Sequence, residues 1–118
     1  MIEIKESNIT LMVADMDRAI QFYESIGLIL KHRWENHYAM ISSPGVVIGL
    51  HPIEEGQSYK PSESISIGFM IEKANEAEDL LKKLKISYQR SEGKSGIYLH
   101  FTDPDGTALY YTQPHWNY

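Results

Sequence analysis

The chain contains no cysteine. That excludes a disulfide framework, a thiolate-bound metal and a cysteine nucleophile. It also lacks any apolar run approaching the length of a membrane span. The opening MIEIKESNIT has none of the long apolar stretch that a signal peptide needs. A cytoplasmic setting away from the membrane is the expectation. Positive charge is scarce as well. Eleven Lys and Arg stand against 16 Asp and Glu, a formal net charge of −5 over 118 residues. A nucleic-acid backbone as main partner would call for a basic surface, so no nucleic acid is expected. The length suffices for one domain with a real core.

What the sequence does have is a pattern written twice. ITLMVADMDRAIQFYESIGLIL begins with strict alternation. Ile9, Leu11 and Val13 share one face, and Asn8, Thr10 and Met12 share the other, the mark of a half-buried strand. Asp15 then caps a helix, Asp17 sits well in its first turn, and Ala19, Ile20, Tyr23 and Ile26 form its apolar stripe. Gly27 is the stop signal. SISIGFMIEKANEAEDLLKKLKISYQ repeats the plan about 58 residues later. Ile65, Ile67, Phe69 and Ile71 face inward, with Ser66, Gly68 and Met70 facing outward. Asn75 is the expected cap of the second helix, with Glu78 at capping-box spacing, and Ala77, Leu80, Leu81 and Leu84 form the stripe.

Three strand-like runs follow each helix, at about 28–36, 37–42 and 46–51 and at about 86–91, 96–102 and 107–112. The last two of each set flank a turn, SSPG and TDPDG. In the second turn Asp103 and Pro104 take the first two positions of a type I turn and Gly106 the fourth. The fold expected is α+β: tandem βαβββ modules forming a curved mixed sheet within a single domain, 1–118. Module one covers about 7–52, a polar linker about 53–63, and module two about 64–114.

With both helices on one side, alternation assigns the two faces of the sheet. The helix side also receives Val46, Ile48, Leu50, Ile97, Leu99, Phe101, Leu109 and Tyr111, an almost wholly apolar set. The other side receives Val47, Gly49, His51, Tyr98, His100, Ala108, Tyr110 and Thr112. That face is too polar for a dry core and too aromatic and glycine-rich for ordinary surface. Glycines leave room there, while Tyr and His present polar tips on apolar bodies. It reads as the concave lining of a ligand cavity without Lys or Arg. The adjacent Tyr110 and Tyr111 are thereby separated: Tyr111 enters the core and Tyr110 meets the cavity.

NITLMVADMDRAIQFYESIGL and YLHFTDPDGTALYY, together with the paired modules, resemble the vicinal oxygen chelate superfamily, which includes glyoxalase I, extradiol dioxygenases, fosfomycin resistance enzymes and bleomycin resistance proteins. The resemblance spans nearly the whole chain. It implies a metal site with ligands from the first and last strand of each module. Those four positions fall on Asn8, Gly49, Ser66 and Tyr110. Asn and Ser are weak neutral donors, Gly has no side chain, and an unperturbed phenol stays protonated at neutral pH. No metal and no other cofactor is therefore expected, with a divalent cation at a displaced site near His51, His100 and Tyr110 as the alternative.

By its size, acidic balance and missing ligands the chain is closest in character to the metal-free bleomycin-resistance-like members. The resemblance then implies a small-molecule ligand, neutral or cationic and aromatic. The ligand-binding residues expected are His100, Tyr110, Tyr98, His51, Trp34, Asn8 and Met70. The alternatives are a metal-dependent lyase, isomerase or dioxygenase with relocated ligands, a metal-independent one using His51 or His100 as general base, or a partner-binding module with a vestigial cavity. A homodimer is also implied, with Trp34 and Trp116 as contact candidates.

Overall fold

The computed structural model describes residues 1–115. They fall into two compact units, residues 1–59 and residues from 60 onward. Unit 1 contains strand β1 (Ile9–Val13), helix α1 (Met16–Ser25) and strands β2 (Ile29–Trp34), β3 (Tyr38–Ser43) and β4 (Val46–Pro52). Unit 2 contains β5 (Ser66–Met70), α2 (Ala74–Lys83), β6 (Gln89–Gly93), β7 (Gly96–Thr102) and β8 (Ala108–Pro114). No helix or strand lies between β4 and β5. Each unit is thus one βαβββ module with its own four-stranded mixed sheet, ordered β1-β4-β3-β2 and β5-β8-β7-β6. In each, the first strand pairs in parallel with the last, and the remaining pairs are antiparallel.

The duplication holds to the level of single hydrogen bonds. Both helices end in the same six-residue loop closure, Leu28 N–H to Tyr23 O and Ile86 N–H to Leu81 O, each at 2.9 Å. The left-handed residue of this closure is Gly27 (φ 116°) in unit 1 but Lys85 (φ 59°) in unit 2. Only glycine adopts that conformation without a Cβ penalty. Lys85→Gly is therefore expected to stabilise the protein by about 0.5–1 kcal/mol in urea unfolding, the residue's strain relieved less the extra freedom glycine gives the unfolded chain. A loss of stability would show that Lys85 is held by contacts worth more than its strain.

Each helix also bonds to the outermost strand of its own sheet through an arginine. Arg33 on β2 reaches Asp17 on α1 at 2.7 Å, and Arg90 on β6 reaches Glu78 on α2 at 3.2 Å.

The helix-side face is the core expected from alternation. Val13, Ile48, Leu50, Ile67, Leu99, Phe101, Leu109 and Tyr111 are all buried. Ile9 and Ile65, expected with them, are exposed at 44% and 59%, because both lie where the first strand of their module begins.

Asp15 caps α1 as expected, accepting from Arg18 N–H at 3.0 Å. The cap of α2 differs. The helix starts at Ala74, so Asn75 lies inside its first turn, and the N-cap residue, Lys73, makes no side-chain cap bond. Gln113 on β8 supplies the acceptor instead, its Oε1 taking Ala74 N–H at 2.7 Å. A capping signal that is local in sequence loses here to a side chain brought in by sheet register.

Candidate functional site

The face of each sheet away from its helix is built from cross-strand rows fixed by register. In unit 1 the central row is Thr10, Gly49, Met40 and His32. In unit 2 the equivalent row is Gly68, Tyr110, His100 and Gln89. Each row holds one glycine, and in each unit a tyrosine lies on it. A Cβ at Gly49 would overlap the ring and hydroxyl of Tyr38, and one at Gly68 would overlap the ring of Tyr110. The glycines are lanes for these rings rather than empty space.

In unit 1, Tyr38 crosses Gly49 so that its hydroxyl accepts a hydrogen bond from Asn8 Nδ2 at 2.9 Å. Asn8 stands one residue before β1. Trp34, paired with Tyr38 across β2 and β3, lies 5.8 Å from its ring centroid, and the His32 ring lies 4.1 Å from that of Trp34, tilted by 59°. His51 is half-buried. Its Nδ1 lies 2.8 Å from the Pro52 carbonyl oxygen, which can only accept, so that nitrogen carries the proton and neutral His51 keeps Nε2 as its basic atom. A hollow of about 600 Å³ opens in this unit, lined by Glu6, Ser7, Asn8, Lys31, Met40 and Val47. Lys31 corrects the expectation of a lining free of cations. The register of β2 shifts between Leu30 and His32, and simple alternation cannot place the extra residue of such a bulge.

In unit 2 three rings form a near-equilateral cluster. The centroid of Tyr98 is 5.9 Å from those of His100 and Tyr110, and His100 is 5.8 Å from Tyr110. Tyr98 and His100 are stacked at 13°. The Tyr98 hydroxyl lies 2.8 Å from Ser95 Oγ, which fixes the ring at its tip. Alternation alone puts His100 inside. It is on the expected face but exposed, since its neighbours in the row are Gln89 and Tyr110, and the flanking strand β6 carries only Gln, Arg, Ser, Glu and Gly. A hollow of about 510 Å³ at the end of this face is lined by Ser66, Gln89, His100, Thr102 and Ala108 among others, with no Lys, Arg, Asp or Glu. Met70 is 49% exposed at the edge of the sheet, next to Thr112.

The structure thus groups Tyr98, His100 and Tyr110 in one unit and Asn8, Trp34 and His51 in the other. Trp116 lies outside the described residues. Tyr38, absent from the residues singled out in the sequence, proves central to unit 1. A tyrosine on the strand next to a glycine gives no sequence signal until the register is known.

At the four positions implied as metal ligands, the residues do not fit a divalent cation. Asn8 gives its amide hydrogen to Tyr38, Gly49 contributes no atom and is covered by Tyr38, Tyr110 lies over Gly68, and Ser66 offers a neutral hydroxyl. Among the described residues, no three His, Asp or Glu side chains group closely enough to hold a metal ion. No helix among the described residues is long and apolar enough to cross a membrane.

Comparison with known proteins gives the same fold. Residues 7–111 match the family described as Glyoxalase/Bleomycin resistance protein/Dioxygenase superfamily. Solved structures with the same architecture include a glyoxylase/bleomycin resistance protein/dioxygenase domain from Frankia sp. EAN1pec, with TM-score 0.77 and 21% identity, covering 98% of this chain and 96% of that one. A bleomycin-binding protein complexed with bleomycin matches with TM-score 0.66 and 17% identity, covering 95% of this chain and 100% of that one. A variant of the fosfomycin resistance protein FosX from Listeria monocytogenes, complexed with Mn(II) and a dihydroxypropylphosphonic acid, matches with TM-score 0.78 and 18% identity, covering 96% of this chain and 92% of that one. A search of curated proteins by sequence finds no match.

Proposed function

We infer the function from one premise: the chain belongs to the Glyoxalase/Bleomycin resistance protein/Dioxygenase superfamily. Its fold hosts several chemistries, so membership alone does not choose among them. We propose that this member binds a small molecule without a metal, and that the open face of unit 2 takes a neutral or cationic aromatic ring. The observation that carries the reading is the cluster of Tyr98, His100 and Tyr110, three rings mutually 5.8–5.9 Å apart. Aromatic faces attract a planar ring by stacking and a cation through their quadrupole. A phosphate or dicarboxylate bound there would need a positive partner, and the adjoining hollow has no Lys or Arg. The net charge of −5 adds long-range attraction for a cation.

One preparation tests the proposal. In a thermal-shift screen, aromatic amines are expected to stabilise the protein and small anionic metabolites are not. Tyr110→Ala should weaken the best aromatic ligand by about 1–3 kcal/mol, the scale of one large side chain's burial. The same protein should carry no stoichiometric divalent cation and should sediment as a homodimer. The reading is wrong if only anions stabilise the protein and Tyr110→Ala leaves that shift unchanged. About one Zn, Mn, Fe or Ni per chain on elemental analysis would likewise sink the metal-free part.

A further inference from the structure

The arrangement in unit 1 has a different chemistry from the ring cluster of unit 2. The Tyr38 hydroxyl accepts from Asn8 Nδ2 at 2.9 Å. A phenol has one proton of its own to donate, and with Asn8 acting as donor that proton is directed elsewhere. The ring cannot easily swing away. It lies on Gly49, is flanked by Trp34 with centroids 5.8 Å apart, and is tied at its tip by Asn8. The hydroxyl is therefore a preoriented donor, held over the row that contains Met40. Asn8 and Met40 both line the hollow of about 600 Å³, so the hydroxyl, 2.9 Å from Asn8 Nδ2, stands behind one of its lining residues. The only charged side chains of that lining are Lys31 and Glu6, of opposite sign. They offset each other, which favours an uncharged acceptor over an anion.

We propose that Tyr38, aimed by Asn8, is the specificity-determining hydrogen-bond donor of unit 1 and selects ligands that present a neutral carbonyl oxygen. The inference rests on the reading that the open faces bind small molecules, but it concerns a different unit and a different ligand group. A donor that is already oriented loses little rotational freedom on binding, and a ligand without a carbonyl would leave it unpaired. Gly49 is part of the device, because any side chain there would displace the ring.

Two probes separate this inference from the ring-cluster reading: benzamide, which has a carbonyl, and benzylamine, which has a ring and a cation but no carbonyl. Both are titrated by NMR into the full chain, its Tyr38→Phe variant and its Asn8→Asp variant. Benzamide is expected to bind the unaltered chain and to move the Asn8 side-chain amide signals. Tyr38→Phe should weaken benzamide about tenfold and leave benzylamine within about twofold, as the loss of one hydrogen bond predicts. Asn8→Asp should weaken benzamide similarly, because a carboxylate takes the Tyr38 proton for itself. Four outcomes overturn the inference: unchanged benzamide affinity in Tyr38→Phe, equal loss of both probes, unchanged affinity in Asn8→Asp, or no benzamide binding to the unaltered chain below about 10 mM. Failure of benzylamine alone would count against the ring cluster of unit 2 and leave Tyr38 standing.

Discussion

Asp103→Ala is expected to cost about 3 kcal/mol of stability, and Asp103→Asn about 1 kcal/mol or less. Asp103 is only 4% exposed although it is a carboxylate. One of its oxygens, Oδ1, accepts Asp105 N–H at 2.9 Å and Thr107 N–H at 2.8 Å. Its backbone is equally engaged: the carbonyl takes Gly106 N–H and the amide gives to Thr107 O, both at 3.0 Å. Gly106 completes the turn with φ 90°. Alanine keeps the backbone bonds but leaves two half-buried amide hydrogens without their acceptor, and a group left so costs about 1–3 kcal/mol when water cannot replace the bond. Asparagine keeps an oxygen in the same place and loses only the charge assistance.

The consequence reaches the proposed site. This turn joins β7 to β8 and so fixes His100 opposite Tyr110 and Tyr98 opposite Thr112. Urea unfolding of both variants checks the prediction. Equal stabilities for Ala and Asn would show that the carboxylate is not what holds the turn.

The turn also shows what could be read from residues alone. DPDG announces its own geometry, because Pro fixes φ and Gly admits the positive φ the turn needs, whatever surrounds them. Alternation separated Tyr110 from Tyr111 for a similar reason: the period of a strand is a property of its own backbone. The repeat was legible because both copies obey the same two periods. The rest depended on register between strands distant in sequence. The bulge near Lys31 altered the lining of unit 1 without a Gly or Pro to announce it. Gln113 caps a helix that starts 39 residues before it. Tyr38 reaches Asn8 across 30 residues, through a lane that exists only once Gly49 is placed beneath it. The four implied ligand positions were legible as unsuitable, but what occupies their space was not.

Tyr111 provides the second large effect, this time on the pH scale. Its side chain lies on the helix-covered face of unit 2, 4% exposed, with its ring centroid 5.3 Å from Phe101 and 6.3 Å from Phe69. Burial among apolar groups opposes the charged phenolate and pushes the pKa up from 10.0 to about 12. The sign of the linkage follows directly. The folded state holds the proton more tightly than the unfolded chain, so the stabilisation is complete below the unfolded pKa. It is lost as pH rises from 10.0 through the folded value of about 12. The loss amounts to about 2 kcal/mol by the folded pKa and approaches about 3 kcal/mol above it, since a tenfold difference in proton affinity between the two states is worth about 1.4 kcal/mol.

Lysines titrate in the same window, so the measurement must be differential. Tyr111→Phe keeps the ring and removes the ionisable group. At neutral pH the variant should be less stable by about 1 kcal/mol, for the lost hydroxyl interactions. As pH rises the wild type should lose that advantage and then fall below the variant, the two stability curves crossing between about pH 10 and pH 12. Parallel curves over this range would mean that Tyr111 ionises as readily in the folded protein as in the unfolded chain. In that case the core of unit 2 would be wetter around this ring than its packing against Phe69 and Phe101 indicates.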